Sequence, residues 1–280
     1  MISINKPRTA PVLVYILFLA AISAQAAFPD PAKPTVLITG ANASHGLAFV
    51  EDYNKLGWNI IASCRSPEKA DALNALAAAH DNIVVEELDI IDDAEIAALA
   101  EKYRDVPIDV LLNNAAINAY RFGLSRFGKI DYDWFEEILR VNIIGPLKVS
   151  EALQANVEAS KQKKIIAMTS TGGSISNQTV PINIGYSTSK AGLNMAMKNY
   201  ALHLKNKGVI VSIIAPGTVD TQDYMNAEDP STVPRNYQMM MKSGRLAPRR
   251  AINDMIGLID RLTIEDSGVY YKWDGEVLPW

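Results

Sequence analysis

Thr35-Val36-Leu37-Ile38-Thr39-Gly40-Ala41-Asn42-Ala43-Ser44-His45-Gly46-Leu47 is the stretch on which the fold turns. Its first five residues are apolar or β-branched and lie between Pro34 and Gly40, which predicts a short strand. A helical stretch follows from Ser44 to Leu56 and stops at Gly57, a residue type common just past a helix C-terminus. Strand, glycine turn and helix in that order suit a phosphate group. Glycine lets the backbone approach the ligand, and the helix start offers free N–H groups. A tight turn alone would also use glycine. The position of this turn, after the first strand of an alternating run, favours the binding role.

Outward from the turn, strand and helix signals alternate. Strands are expected at Asn59–Ser63, Ile83–Leu88, Ile108–Leu112, Lys164–Thr169 and Val209–Ile214. Helices are expected from a Ser66 cap with Pro67 in the first turn, over Asp92–Tyr103, over about Tyr132–Ser160 as one long helix, and over Gly185–Asn206. Continuous apolar strands between helices indicate a parallel sheet covered on both faces. The expected fold is therefore α/β, a single three-layer α/β/α domain of the Rossmann type with a doubly wound parallel sheet, spanning residues 35–280. Thr218 to about Gly244 carries Pro230 and Pro234 without periodicity and reads as a lid or binding loop.

The chain of 280 residues is 49% hydrophobic and 21% charged, with a formal net charge of −4. This excludes disorder as the main state and argues against nucleic acid as a partner, which calls for a basic surplus. One cysteine, Cys64, rules out an intrachain disulfide, and with three histidines a His/Cys zinc site is not expected. Lys6 and Arg8 precede the apolar run Val12–Ile22, and Ala24-Gln25-Ala26 follows. Residues 1–26 thus read as a cleavable signal peptide, too short in its apolar part for the roughly 20 residues of a membrane span. Residues 27–34 are a proline-rich extended lead-in. Export to the periplasm or secretory pathway is expected, and a cytoplasmic location if the signal is silent.

The turn resembles the Thr-Gly-x-x-x-Gly-x-Gly fingerprint of short-chain dehydrogenases/reductases. Gly40 and Gly46 match the outer glycines, and Ser44 stands at the middle one, where its side chain would crowd a pyrophosphate or its hydroxyl would cap the helix. His45 reads as a loop residue. The resemblance implies a cofactor site of Gly40, Asn42, Ser44, His45, Gly46 and Leu47. Asp89 would contact the adenine, and Asn114 and Ala115 belong to Asn113-Asn114-Ala115-Ala116. The second strand ends at Cys64-Arg65 without an acid; Arg65 would meet a 2′-phosphate, favouring NADP(H) over NAD(H). Pro216, Gly217, Val219 and Thr221 resemble the turn beside the nicotinamide, with Tyr224 and Met225 in the lid.

Tyr186 and Lys190 stand at i and i+4, on one helix face. A cation near a phenol favours the phenolate and would bring the tyrosine toward working pH as a general acid. In the family this pair falls where it does here, between the fifth and sixth strands. It also uses a serine to orient the carbonyl, here Ser170 or, because the gap to Tyr186 exceeds the commonest family spacing, Ser174. An asparagine matching Asn142 holds a relay water. The insertion Thr171–Ile175 and the ending Gly268–Trp280 resemble the sniffer and C-factor branch of carbonyl reductases. The resemblance implies reduction of a small-molecule ketone, aldehyde or quinone, and a homodimer or homotetramer. Two other readings stay open: a dinucleotide-binding signalling protein of the C-factor type with little turnover, and an NAD-dependent alcohol dehydrogenase.

Overall fold

A computed structural model describes residues 28–117, 125–180, 183–222, 224–227, 229–244 and 246–280. The expected signal peptide lies outside these residues. Seven strands form one sheet in the order β3-β2-β1-β4-β5-β6-β9, all parallel. They are β1 (Thr35–Thr39), β2 (Asn59–Cys64), β3 (Ile83–Glu87), β4 (Val110–Asn113), β5 (Lys164–Met168), β6 (Ile210–Ala215) and β9 (Tyr270–Lys272). A small second pair joins β7 (Thr218–Val219) to β8 (Leu246–Ala247). The strand order reverses at β1, so the carboxyl ends of β1 and β4 open the crevice where such sheets bind ligands.

The central strands are largely apolar because both faces are covered. Val36 and Ile38 of β1 enter one core with Val110, Leu112, Ile166 and Met168. Leu37 enters the other with Leu111, Ile165 and Ala167. Alternation with period two thus buries every residue of β1, β2, β4, β5 and β6, while the edge strand β3 is only partly covered and ends in Glu86 and Glu87. The first core is closed by α1 (Ser44–Lys55) and α9 (Ala251–Arg261), the second by α3 (Asp93–Lys102), α5 (Gly145–Ala152) and α7 (Ile184–Leu204). Arg249 ties the two helices of the first layer, donating to Asp52 at 2.7 Å and to Glu51 at 2.8 Å. Phe49 of α1 is fully buried, and truncating such a side chain costs about 3–5 kcal/mol.

Several expectations are corrected. The long helix over Tyr132–Ser160 is broken into α4 (Tyr132–Leu139), a π-turn over Arg140–Ile144, α5 and α6 (Gln154–Ala159). Pro146 has no N–H for an i→i−4 bond to Asn142, and Gly145 instead donates to Arg140, five residues back. Ser66 makes no side-chain cap; it precedes a single 3₁₀ turn at Pro67–Lys69, and the helix proper is α2, Asp71–Ala79. Asp92, by contrast, caps α3 by accepting from Ala94 and Glu95. The segment read as irregular contains α8 (Arg235–Lys242), an eight-residue helix with no fully buried residue. No described helix is long and apolar enough to cross a membrane.

Candidate active site

The glycine turn and the loop after β4 are stitched together by Thr39. Its Oγ1 accepts from the backbone of Asn114 and of Ala115, both at 3.0 Å. Asn114 Nδ2 returns bonds to the carbonyls of Thr39 (2.9 Å) and Gly40 (3.1 Å). Sequence reasoning quoted Thr39 but gave it no role. Gly40 has φ +64, and a Cβ there would lie 2.8 Å from the Ala115 backbone. A Cβ on Gly46 would lie 2.1 Å from the Gly40 carbonyl oxygen. These two glycines are required by the closeness of the turn itself.

Ser44 adopts φ +49, a left-handed conformation that favours glycine. Its hydroxyl does not cap α1; Ala43 is the N-cap residue and no side chain caps that end. No acid lies in the first turn. Asn42, Ala43 and Ser44 are exposed, so the helix start presents its N–H groups to an anionic ligand. Leu47 packs against the first core. His45 lies in the first turn of α1, not in a loop, and its Nε2 accepts from the Val219 N–H at 3.4 Å. Burial, reinforced by the charge of Lys190, pushes this imidazole down to about 4. It is neutral at pH 7, as an acceptor must be.

Arg65 is exposed at the end of β2 and makes no ion pair with another described residue. Asp89 is half-buried: its side chain accepts from Ile91 at 3.1 Å, and its N–H donates to Glu95 at 2.5 Å. Beyond β6, Pro216 is buried and Gly217 has φ +69. The N–H of Thr221 donates to the Val219 carbonyl. Asp220, buried and not anticipated, accepts from the N–H groups of Tyr224 (2.9 Å) and Met225 (2.6 Å), fixing the start of the segment expected as a lid. The Tyr224 and Tyr237 rings meet at 4.8 Å.

On the other side of the crevice, α7 carries Tyr186 and Lys190 on one face. Asn183 caps its start by accepting from the Tyr186 N–H. Lys190 is buried, donates to the Met168 carbonyl at 3.0 Å, and is pushed down to about 8 by burial. Its nitrogen lies 5.7 Å from the Tyr186 ring centre. Burial raises the Tyr186 phenol, against the expectation that Lys190 would lower it; the opposing pull comes from a hydrogen bond with Ser170. Lys190 points its own proton at β5, so the phenol feels desolvation before it feels charge.

The two candidate serines separate cleanly. Ser170 reaches the phenol and accepts from Gly172 at 3.1 Å. Ser174 donates to the Pro279 carbonyl at 2.7 Å and accepts from Asn177. Asn142 sits in the π-turn: Oδ1 accepts from Ile117 at 2.9 Å, and Nδ2 donates to the Ile117 carbonyl and to Ser189 Oγ, each at 3.0 Å. It therefore braces the loop after β4 against α7. Asn194, one turn beyond Lys190, and Tyr270 were missed, although i+8 from Tyr186 marks Asn194 as sharing its helix face.

Residues 34–231 match the short chain dehydrogenase family. An uncharacterized oxidoreductase of Schizosaccharomyces pombe is 30% identical over 250 residues, 87% of this chain and 96% of that protein. The C-signal of Myxococcus xanthus is 30% identical over 174 residues, 62% of this chain and 93% of that protein. The crystal structure of NADPH-bound carbonyl reductase from chicken fatty liver superposes with a TM-score of 0.75 at 27% identity, covering 89% of this chain and 99% of that one. With C-signal and a carbonyl reductase among its relatives, the sniffer and C-factor relationship stands. The chain is a member of the short-chain dehydrogenase/reductase family, an NAD(P)-dependent oxidoreductase acting between carbonyl and alcohol.

Proposed function

We propose that the protein reduces the carbonyl of a ketone, aldehyde or quinone with NADPH. The observation that carries this reading is the cluster of half-buried Tyr186 and Ser170 with buried Lys190 at the carboxyl end of the parallel sheet. The uncapped start of α1 and the glycine turn fit a pyrophosphate, and Arg65 fits a 2′-phosphate. The similar chicken enzyme was solved with NADPH bound. When bound, the cofactor supplies the hydride. Ser170 holds the substrate oxygen, and Tyr186 gives that oxygen the proton that completes the alcohol. A phenol kept protonated by burial suits the donor role in this direction. Lys190, with one of three N–H bonds spent on Met168, has two left for a ribose and for orienting the phenol. Asn142 keeps the floor of the crevice in place between Ile117 and Ser189.

The test is a fluorescence titration with NADPH and NADH, followed by turnover of a quinone. Arg65→Ala should weaken NADPH about tenfold and leave NADH unchanged, since an Arg–phosphate pair of this kind is worth about 1–2 kcal/mol. Equal loss for both cofactors, or none, removes Arg65 as selector and returns the NAD-dependent alcohol dehydrogenase. A second reading, a dinucleotide-binding signal protein, draws on Ser44 in the glycine turn and on the likeness to C-signal. It predicts cofactor binding without turnover. Exposed Ile144, Met195 and Leu202 fit a homodimer or homotetramer, read by sedimentation. The leader implies export, read by N-terminal sequencing of the mature protein.

A further inference from the structure

The face of α7 that carries Tyr186 and Lys190 continues at the same spacing through Asn194 and Lys198. Both are engaged by the strand and tail at the far end of the chain. Asn194 is buried. Its Oδ1 accepts from Thr169 Oγ1 at 2.7 Å, and its Nδ2 donates to the Gly173 carbonyl at 3.3 Å and hydrogen-bonds the Tyr270 hydroxyl. Thr169 and Gly173 flank Ser170 on either side.

Tyr270, on β9, is 1% exposed and donates its hydroxyl to the Ser170 carbonyl at 2.5 Å. Its ring stacks on Trp280 at 5.4 Å between centres. Trp280 is held in turn: its carbonyl accepts from the Ser176 N–H at 2.8 Å, and Lys198 lies 5.8 Å over its ring while donating to Gly268 at 2.9 Å. The effect on Ser170 is specific. Its carbonyl accepts from both the Tyr270 hydroxyl and the Gly173 N–H (2.9 Å), and its Oγ accepts from the Gly172 N–H, which fixes the loop and leaves the hydroxyl proton free to point toward the Tyr186 phenol.

We infer that Tyr270, backed by Trp280 and Asn194, is a positioning residue that aims the Ser170 hydroxyl at the reacting oxygen. The inference rests on the carbonyl-reductase reading of Ser170 and Tyr186. A hydroxyl on a loop is placed to a fraction of an ångström only when the loop backbone is itself held, and the Ser170 carbonyl is held by Tyr270, 100 residues away, together with the local Gly173 N–H. Misplacement of about an ångström costs up to about 100-fold in rate.

The experiment uses the full chain, NADPH and 9,10-phenanthrenequinone as carbonyl probe, with Tyr186→Phe as the control for the underlying reading. Tyr270→Phe keeps the ring stack and removes the bond to Ser170. The expected result is a kcat lower by about tenfold, with NADPH affinity within twofold of the parent. The alkaline limb of the kcat/KM profile should also move to higher pH, because the phenol loses the bond that lowers it. Trp280→Ala should repeat the loss in kcat at about half that size, and Trp280→Phe should restore it. If Tyr270→Phe no longer binds NADPH it has misfolded, and the Trp280 pair decides. Parent kcat and pH profile in Tyr270→Phe and Trp280→Ala, with Tyr186→Phe inactive, overturns the inference and spares the reductase reading. Turnover retained in Tyr186→Phe overturns the reductase reading itself.

Discussion

The two walls of the crevice are built on opposite plans. The wall made by the β1–α1 turn and Arg65 is backbone and glycine, exposed, with hydrogen-bond donors left open. The wall made by β5, α7 and β9 is side chains, buried or half-buried, with most polar atoms engaged. The difference suits the tasks proposed for them. A site that binds an anionic ligand keeps donors unpaired until the ligand arrives, and their cost is small because water reaches them. A site that moves a proton must hold its groups in place beforehand, and burial makes an unpaired group there expensive.

The largest effect should come from the buried wall. Tyr186→Phe removes the proton donor and should lower kcat by about 10²–10⁴-fold, while NADPH affinity, set by the other wall, stays within twofold. Loss of binding in that variant would show that the two walls are not separable. Next, Gly46→Ala places a Cβ 2.1 Å from the Gly40 carbonyl and should cost about 3 kcal/mol of stability as well as cofactor affinity, both measurable in urea melts with and without NADPH. Parent-like stability would mean that the turn is looser than its contacts show.

His45 ties the exposed wall to the segment after β6 through the Val219 N–H, so its titration reads that contact. Its imidazole falls from the ordinary 6.5 to about 4 on folding. Between those values the unfolded chain binds a proton that the native protein refuses. The stability it contributes is complete above pH 6.5 and is lost as pH falls toward 4. The loss should be about 2 kcal/mol once partial exposure is allowed for, and His45→Asn should flatten it in denaturant midpoints across that range. The smallest effect belongs to Ser44→Gly. Relief of the left-handed φ should add about 0.5–1 kcal/mol to stability and leave NADPH affinity equal or tighter. Weaker binding would mean that the hydroxyl contributes to the phosphate site.

The exposed wall was legible because its information is local. The strand, the glycines and the helix start lie within Thr35–Leu47, and Arg65 follows the next strand directly. The pairing of Tyr186 with Lys190 was legible for the same reason, as a helix places i and i+4 together whatever surrounds it. The doubly wound sheet was legible from its strands, whose unbroken apolar character reports two covered faces. Where local rules met a residue they could not weigh, they misled. Pro146 put a π-turn into one expected helix, and the surface helix α8 is eight residues long and buries none of them fully.

By itself, then, the sequence determined the class of fold, the crevice at which it binds, and the chemical types brought there, since each follows from short-range geometry and burial. Tertiary structure alone decided that Ser170 and not Ser174 meets the phenol, that burial and not Lys190 dominates that phenol, that His45 leans on Val219, and that Tyr270 and Trp280 reach back across the chain to hold the serine. Those outcomes depend on which distant segments share a space, and on how much water is excluded when they do, and neither is written in the spacing of neighbouring residues.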